Sequence, residues 1–234
     1  LMKFDIIIQA RFKSTRLPGK LFLNFDNKRI IDYLLNNFYS LKNYKDIGRI
    51  ILATPQDEFK NEFALICKKN NIFHFAQKID EKNLLKRYFK CAKKFNSKNI
   101  IRITSDCPFI NPQIIKKMIK FYEKNKLSFL TNNKPRFVPH GFDCEIISIK
   151  RLREAYKKAK TSFDKEHLTQ WIYKNRFNKN KENIKLFKKN LSNLRLTIDR
   201  IEDYLFFIKN KERLKLISKS NNYEKLCLSL KNKK

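Results

Sequence analysis

The order of apolar and helical segments along the chain constrains the fold most strongly. The runs at 4–8, 49–53, 72–75 and 99–103 have the near-continuous hydrophobicity of strands that are covered on both faces. Between the first two runs, apolar residues recur at helical spacing, namely Ile30, Ile31, Leu34, Leu35 and Phe38. This alternation predicts βαβ units, and therefore an α/β domain with a mainly parallel mixed sheet flanked by helices.

The alternation is less regular after residue 130. We predict further strands at 127–130, 144–149 and 194–198, and helices at 57–69, 84–95, 113–123, 151–160, 165–173 and 202–217. No internal repeat or linker divides the chain. We therefore expect one domain over residues 1–220 and a C-terminal tail at 221–234 that is partly frayed, since chain ends are ordered only when they are tied down.

The net charge is compatible with a polyanionic partner but does not identify one. The sequence has 54 Lys and Arg residues against 22 Asp and Glu residues, which gives a formal net charge of +32 at pH 7. A charge this high suits nucleic acid or an anionic surface. The lysines, however, are spread along the whole chain beside abundant Asn, Ile and Phe, which is typical of a genome-wide compositional bias. Both interpretations stay open at this point.

The cysteines and apolar segments bear on the compartment. The five cysteines are scattered and form no CxxC pair, so neither a disulfide framework nor a zinc site is predicted. The first apolar run is too short for a signal peptide, and no apolar stretch is long enough to span a bilayer. We expect a cytoplasmic protein without membrane insertion.

A basic loop directly follows the first predicted strand. Residues 9–20 hold four cations, two hydroxyl side chains and Gly19, one of only 3 glycines in the chain. The loop would lie at the carboxyl end of a parallel sheet, where open α/β folds bind ligands. Arg11 and Arg16 offer forked donors for phosphate oxygens, Lys20 adds a compact charge, and glycine lets the backbone approach a ligand. The loop, which is not a Walker A sequence, is either a phosphate site or a solvated basic loop.

Two aspartates follow predicted strands in the same sense. Asp106 comes after the strand at 99–103, and Asp199 comes after the strand at 194–198. Both side chains would therefore converge at the carboxyl edge of the sheet, and Mg²⁺ prefers one or two carboxylates together with phosphates and waters. On the residues alone, a turn or helix N-cap is the simpler interpretation of each aspartate.

Six segments, taken in order, resemble motifs of one enzyme family. The loop at 9–20 is QARFKSTRLPGK, and the later segments are LLKRY at 84–88, RITSDCPFI at 102–110, GFDCE at 141–145, EHLT at 166–169 and LRLTIDRIED at 194–203. Together they resemble the SpsF-like cytidylyltransferases of spore-coat polysaccharide biosynthesis, which are relatives of the KDO and acylneuraminate cytidylyltransferases. The likeness runs from residue 6 to about residue 208.

The resemblance implies a Rossmann-like (GT-A-like) nucleotidyltransferase that transfers CMP from CTP to a sugar or sugar-like acceptor and releases pyrophosphate, for surface polysaccharide or glycoconjugate biosynthesis. It implies Mg²⁺ bound by Asp106 and Asp199. The implied catalytic residues are Arg11, Lys20 and Asp106, and the implied acceptor-binding residues are Asp143, Glu145 and His167. The implied nucleotide-binding residues are Gln9, Ala10, Arg11, Ser14, Thr15, Arg16, Gly19, Lys20, Arg87 and Asp106.

Several of these assignments have alternatives. Relatives usually carry a Gly-Ser-rich turn before the element at 84–88, whereas residues 76–80 here are AQKID. CTP as the nucleotide therefore rests on the family rather than on identified contacts. A β-bulge explains Asp143 and Glu145 as well, a structural role explains His167, and a helix salt bridge explains Arg87. The sequence does not name the acceptor, and it leaves open whether the protein is a homodimer, as relatives often are.

Two other functions compete with nucleotidyl transfer. A nucleic-acid- or polyanion-binding protein would account for the charge, but no nucleic-acid module pattern is present and most of the 21 Phe residues fall at apolar-periodic positions. A nucleotide-sugar-dependent glycosyltransferase on the same fold would carry a DxD motif, whereas Asp106 is followed by Cys107 and Pro108. Nucleotidyl transfer is therefore the predicted function, and nucleic acid is not an expected partner.

Overall fold

The computed structural model of the protein describes residues 3–57, 59–175 and 182–231. Within these residues the strands are β1 (Phe4–Gln9), β2 (Asn24–Phe25), β3 (Lys28–Arg29), β4 (Ile47–Pro55), β5 (Phe73–Gln77), β6 (Asn99–Thr104), β7 (Phe129–Thr131) and β8 (Glu145–Ser148). The α-helices are α1 (Ile30–Asn37), α2 (Lys60–Lys69), α3 (Leu84–Lys94), α4 (Pro112–Lys124), α5 (Ile149–Lys158), α6 (Ser162–Glu166), α7 (Gln170–Lys174), α8 (Ile201–Lys209), α9 (Lys211–Ile217) and α10 (Tyr223–Lys231).

Six strands form one sheet in the order β5-β4-β1-β6-β8-β7. β1 is parallel to β4 and β6, and β4 is parallel to β5. β8 is antiparallel to both of its neighbours, β6 and β7. The predicted mainly parallel mixed sheet with flanking helices is confirmed. Because β1, β4, β5 and β6 run in the same direction, the loops that follow them meet at one edge of the sheet.

Helices cover both faces of the sheet, as the apolar runs predict. Ile6 and Ile8 of β1 pack in one hydrophobic layer together with residues of α1 and α4. Ile7 packs in the opposite layer together with residues of α3 and α5. All three isoleucines are fully buried. Because alternate residues of a strand point to opposite faces, burial of both faces produces a continuous apolar run instead of an alternating one.

Three predicted elements differ from the structure. The helix predicted at 165–173 is two short helices, α6 and α7, and His167 lies at the break between them. The helix predicted at 202–217 is also two helices, α8 and α9, which part at Asn210. The strand predicted at 194–198 does not join the sheet. It is an extended segment whose backbone N–H groups at Leu196 and Ile198 donate to the carbonyls of His140 and Asp106, at 2.7 and 2.9 Å.

The C-terminal segment also differs from the frayed tail that we expected. Residues 223–231 form α10, because Tyr223, Cys227 and Leu230 recur at helical spacing and are buried in the main hydrophobic layer. Residues 232–234 of the expected tail lie outside the described residues. The domain boundary at residue 220 stays a prediction.

The five cysteines are free and buried. Burial raises the pKa of Cys67 and of Cys227 to about 12, so these two thiols stay protonated and act as small apolar packing groups. In the part of the chain that the structure describes, no helix is long and apolar enough to cross a membrane.

Candidate active site

The aromatic side chain of Phe12 helps to anchor the loop at 9–20 to the protein. The ring of Phe12 stacks on the ring of Phe59, with centroids 3.6 Å apart. Gly19 has a φ of +67°, and its backbone N–H donates to the carbonyl of Phe12 at 3.1 Å. A Cβ at this position would lie 3.3 Å from the Phe12 ring. The loop therefore closes on its own anchor, and the left-handed backbone at that point favours glycine.

A cavity of about 540 Å³ lies at the carboxyl edge of the sheet beside this loop. Its walls come from the loop, from the ends of β6 and α3, and from the segments around residues 166 and 199. The lining residues are Gln9, Ala10, Arg11, Ser14, Thr15, Arg16, Lys20, Glu81, Leu84, Arg87, Arg102, Thr104, Ser105, Asp106, Glu166, His167 and Asp199. All residues predicted to bind the nucleotide line this cavity except Gly19, which shapes the loop.

The two predicted metal ligands meet at the ammonium group of Lys20. Lys20 Nζ lies 2.8 Å from Asp199 Oδ1 and 4.0 Å from Asp106 Oδ2, and it donates to the carbonyl of Ile198 at 2.7 Å. Arg16 Nη2 lies 3.1 Å from the other oxygen of Asp199. Burial by itself would raise the pKa of Asp199, but the hydrogen bond and charge of Lys20, together with the charge of Arg16, hold this pKa below its ordinary value. Asp199 is therefore ionised at neutral pH.

A helix N-terminus fixes the position of Asp199. Asp203, in the first turn of α8, accepts hydrogen bonds from the backbone N–H groups of Asp199 and Arg200, at 2.9 and 3.1 Å. A carboxylate at this position satisfies donors that the helix leaves unpaired, and it interacts favourably with the helix dipole. The backbone turn that carries Asp199 is thus held on one side by α8 and on the other by the hydrogen bond from Ile198 to the Asp106 carbonyl.

Asp106 and Asp199 fit a divalent cation that takes its other ligands from a substrate. Both carboxylates face one ammonium group, so this point of the structure already favours positive charge. Among the described residues there is no group of three or more His, Cys, Asp or Glu side chains that could hold a metal ion. Mg²⁺ commonly keeps several waters and uses one or two carboxylates together with substrate phosphates, which is the set that this pair could complete.

A second cavity, of about 380 Å³, adjoins the first. It is lined by polar and charged side chains from β6, β8, α7 and the segment after β7. These residues are Arg102, Asn133, Lys134, Arg136, Glu145, His167, Thr169, Gln170 and Tyr173. Arg102 and His167 line both cavities, so the two spaces meet at these side chains.

The two acidic residues predicted to bind an acceptor are engaged inside the protein. Asp143 accepts from Arg136 Nη1 at 3.2 Å and from Asn133 at 2.8 Å. Burial would raise the pKa of Asp143, but these contacts outweigh it and lower the pKa. Glu145 accepts from Arg102 at 2.8 Å and from the hydroxyl of Tyr173. Asp143 is not among the residues that line the second cavity, and Glu145 lines it while only 1% exposed.

His167 and Arg87 lie in the walls of the cavities. The ring of His167 packs against Phe163 with centroids 4.5 Å apart. Arg87 is 1% exposed, and within the described residues its Nε has no hydrogen-bond partner. Burial lowers the pKa of Arg87, and the charge of Glu81 partly offsets this effect. The sequence also allowed a helix salt bridge for Arg87, but the contacts of the described residues contain none. Arg87 Nη2 instead donates to the backbone carbonyl of Glu81 at 3.5 Å.

Of the residues that line the second cavity, the sequence predicted only Glu145 and His167 as site residues. It missed seven others, namely Arg102, Asn133, Lys134, Arg136, Thr169, Gln170 and Tyr173. Arg102 had a usable signal, because a charged side chain inside a buried strand needs a partner or a ligand. Its partner, Glu145, lies directly opposite on β8. Tyr173 had no such signal, since its contacts with Glu145 and Asn133 come from the packing of α7 on the sheet edge.

Comparisons with known proteins agree with this arrangement. A family model described as cytidylyltransferase matches residues 6–230. The spore coat polysaccharide biosynthesis protein SpsF of Bacillus subtilis is 28% identical over 210 residues, which cover 85% of this chain and 82% of that protein.

Two solved structures are also similar. A cytidylyltransferase from Leptospira borgpetersenii has a TM-score of 0.85 and 30% sequence identity, and the match covers 100% of this chain and 95% of that chain. A CMP:2-keto-3-deoxy-manno-octonic acid synthetase complexed with CTP has a TM-score of 0.68 over 90% of this chain and 99% of that chain. At 13% identity, the second likeness concerns the fold alone.

Proposed function

This chain belongs to the cytidylyltransferase family, and we propose that it transfers CMP to a sugar or sugar-like acceptor for surface polysaccharide or glycoconjugate biosynthesis. As a member of this family it is a nucleotidyltransferase that uses CTP. The similarity to SpsF, a protein of spore coat polysaccharide biosynthesis, supports the polysaccharide context. The observation that carries the proposal is the meeting of a basic loop and two carboxylates in one cavity. A polyanion-binding protein without catalysis is not favoured.

The basic loop is assigned to the triphosphate. Arg11, Arg16 and Lys20 line the cavity from one side, and their charges match the oxygens of the β- and γ-phosphates. Gln9, Ala10, Ser14 and Thr15 line the same cavity and complete the nucleotide contacts. Arg87 contributes a further buried cation, whose Nε has no hydrogen-bond partner within the described residues. As pyrophosphate leaves, these fixed donors stabilise the charge that develops on it.

Asp106 and Asp199 are assigned to a divalent metal. A divalent metal is common in this family, and we assign Mg²⁺ because carboxylate oxygens are its preferred protein ligands. When bound, the ion supplies charge neutralisation at the triphosphate. Lys20 Nζ is 2.8 Å from Asp199 and lines the same cavity, so we assign it to the phosphates of the bound nucleotide as well.

The second cavity is assigned to the acceptor. An acceptor hydroxyl oxygen forms a bond to the α-phosphorus, and the bond from that phosphorus to the oxygen bridging to the β-phosphate breaks. Pyrophosphate leaves with the electron pair, and the hydroxyl proton passes to water. Asp143 and Glu145 act on the acceptor by fixing Arg136 and Arg102 in the cavity wall, and His167 contacts the acceptor where the cavities meet.

Location and oligomeric state are further proposals. We place the reaction in the cytoplasm, where CTP is made. A homodimer, expected from the resemblance, stays a prediction that light scattering of the purified protein can check.

The proposed activity is tested by pyrophosphate release from CTP with Mg²⁺ and a panel of acceptors that contains sugar acids, amino sugars and polyols. We expect release with at least one acceptor class for the wild type, and a loss of about 10³-fold or more for Asp106→Asn, which removes a ligand charge next to the reacting phosphates. Glu62→Gln is the matched control, because Glu62 is an exposed acid on α2 outside both cavities. Equal rates for Asp106→Asn and the wild type would contradict the assignment.

A further inference from the structure

Arg102 occupies the place where the two cavities meet. It lies on β6, two residues before the end of the strand, and its side chain lines both the 540 Å³ and the 380 Å³ cavity. His167 is the other residue common to both linings. Arg102 is the one of the two with a permanent charge, since guanidinium groups are protonated at all physiological pH values. A nucleotide in the first cavity and an acceptor in the second would react beside this charge.

The guanidinium of Arg102 is held in one position. Its Nη1 donates to Glu145 Oε2 at 2.8 Å, and the two residues are direct cross-strand partners on β6 and β8. The hydroxyl of Tyr173 of α7 donates to the other oxygen of Glu145, and the same hydroxyl oxygen lies 2.8 Å from Asn133 Oδ1. Burial would lower the pKa of Arg102, but the charge of Glu145 outweighs it and raises that pKa. Three elements therefore fix a cation whose orientation is set before any substrate arrives.

In the part of the chain that the structure describes, Arg102 commits only one of its five N–H groups, through Nη1 to Glu145. Its Nε–H is buried and has no hydrogen-bond partner among the described residues. The Arg102 side chain is nevertheless 18% exposed, and it lines both cavities. A buried donor without a partner is costly to a folded protein unless a ligand or water satisfies it. A purely structural ion pair between Arg102 and Glu145 would not require this donor to stay open.

From these observations we infer that Arg102 is a catalytic residue whose guanidinium donates to a non-bridging oxygen of the α-phosphate. This inference rests on the proposed function. The α-phosphorus is the atom that an acceptor from the second cavity must attack, so it lies at the junction of the cavities. Negative charge gathers on its non-bridging oxygens as the new P–O bond forms and the bond to pyrophosphate breaks. A fixed guanidinium at that point stabilises the transition state more than the ground state.

The test uses calorimetric titration to separate the contribution of the α-phosphate to binding affinity from that of the rest of the nucleotide. Wild type, Arg102→Met and Arg102→Lys are titrated with cytidine, CMP, CTP and inorganic triphosphate. We expect Arg102→Met to weaken CMP binding by about tenfold to a hundredfold relative to cytidine, the range for a hydrogen bond to a charged group. Inorganic triphosphate, which the basic loop binds, should change by less than about twofold. Arg102→Lys keeps the charge without the fork and should lose less affinity for CMP than Arg102→Met.

Two further variants serve as controls for this test. Arg153→Met removes an exposed arginine of α5 that lines neither cavity, and it should bind all four ligands as the wild type does. Arg102→Met combined with Glu145→Gln removes the buried charge that the single variant leaves unpaired, and it should show the same selective loss for CMP if the single variant does not fold. Equal weakening of cytidine, CMP and triphosphate, or unchanged binding of CMP, would overturn the inference. If the wild type itself binds neither CMP nor CTP, the proposed function fails as well.

Discussion

Lys20 Nζ is 2.8 Å from Asp199 Oδ1, so an ammonium group occupies the space between the two carboxylates assigned to a divalent metal. Arg16 lies 3.1 Å from the same aspartate. The triphosphate assigned to this site would attract both cations, and the carboxylates would then be free to bind the metal. Binding of nucleotide and binding of metal are therefore expected to reinforce each other, and linkage makes this coupling reciprocal.

Replacement of Lys20 by Met should raise the affinity of the nucleotide-free protein for Mn²⁺ by about tenfold, because a charge that competes at about 4 Å is removed. The same variant should bind CTP more weakly than the wild type. Electron paramagnetic resonance of free Mn²⁺ measures the first effect, and calorimetry measures the second. Lys160→Met controls for the change in net charge, since Lys160 is exposed and lies two residues after the end of α5. Unchanged Mn²⁺ affinity in Lys20→Met would contradict the competition.

The Phe12 anchor predicts a functional effect from an apolar residue. Phe12→Ala removes the stacking on Phe59, so the basic loop keeps its polar contacts with Asp199 but loses its aromatic anchor. CTP binding should weaken by about tenfold, because the loop must then be ordered by the ligand. Calorimetric titration with CTP measures this loss. Phe89→Ala is the matched control, because Phe89 stacks on Tyr156 at 4.4 Å outside both cavities. A similar loss of CTP affinity in both variants would argue against an anchoring role.

Stability in acid should depend on Asp143. Contacts with Arg136 and Asn133 hold the pKa of Asp143 below its ordinary value of 3.8 in the folded state, despite burial, which acts to raise it. A carboxyl with a depressed folded-state pKa contributes stability above its unfolded pKa, and the contribution is lost as the pH falls through the folded value. The wild type should exceed Asp143→Asn by about 1–2 kcal/mol at pH 7, and this difference should shrink below about pH 3.8.

Urea unfolding of the wild type and of Asp143→Asn between about pH 2.5 and pH 7 measures this difference in the free energy of unfolding. Glu62→Gln, an exposed acid on α2, gives the baseline for a substitution of the same chemistry. A difference between wild type and Asp143→Asn that is constant across this range would contradict the account of the ion pair.

The sequence predicts the sheet well because its strands are buried on both faces. The runs around Ile7 and Ile51 predict strands because they are nearly continuous in apolar residues, which alternate between the two hydrophobic layers. The basic loop at 9–20 is equally easy to predict, because its cations, hydroxyl side chains and glycine are close together in the sequence. Local sequence patterns therefore predict the part of the site that is built from residues close together in the chain.

The parts that the sequence does not predict depend on distant contacts. The segment before Asp199 looks like a strand, yet its partners are the backbone groups of His140 and Asp106 instead of a sheet neighbour. α10 looks like a tail because only packing against the main hydrophobic layer orders it. The network of Arg102, Glu145 and Tyr173 joins three elements, and no spacing along the chain encodes it.

The central claim is a CTP site that forms together with a divalent metal, and nucleotide-dependent thermal stability tests it most directly. The purified protein is heated with CTP, UTP, GTP or ATP, each with and without Mg²⁺, at fixed moderate salt. At a concentration of one hundred times Kd, a ligand adds about 2.7 kcal/mol, which raises Tm by about 5–10 °C for a chain of this size. We predict such a shift for CTP with Mg²⁺ and a clearly smaller one for the other nucleotides. Equal small shifts from all four nucleotides that disappear as the salt concentration rises would show non-specific binding to a polycation, and they would contradict a CTP site.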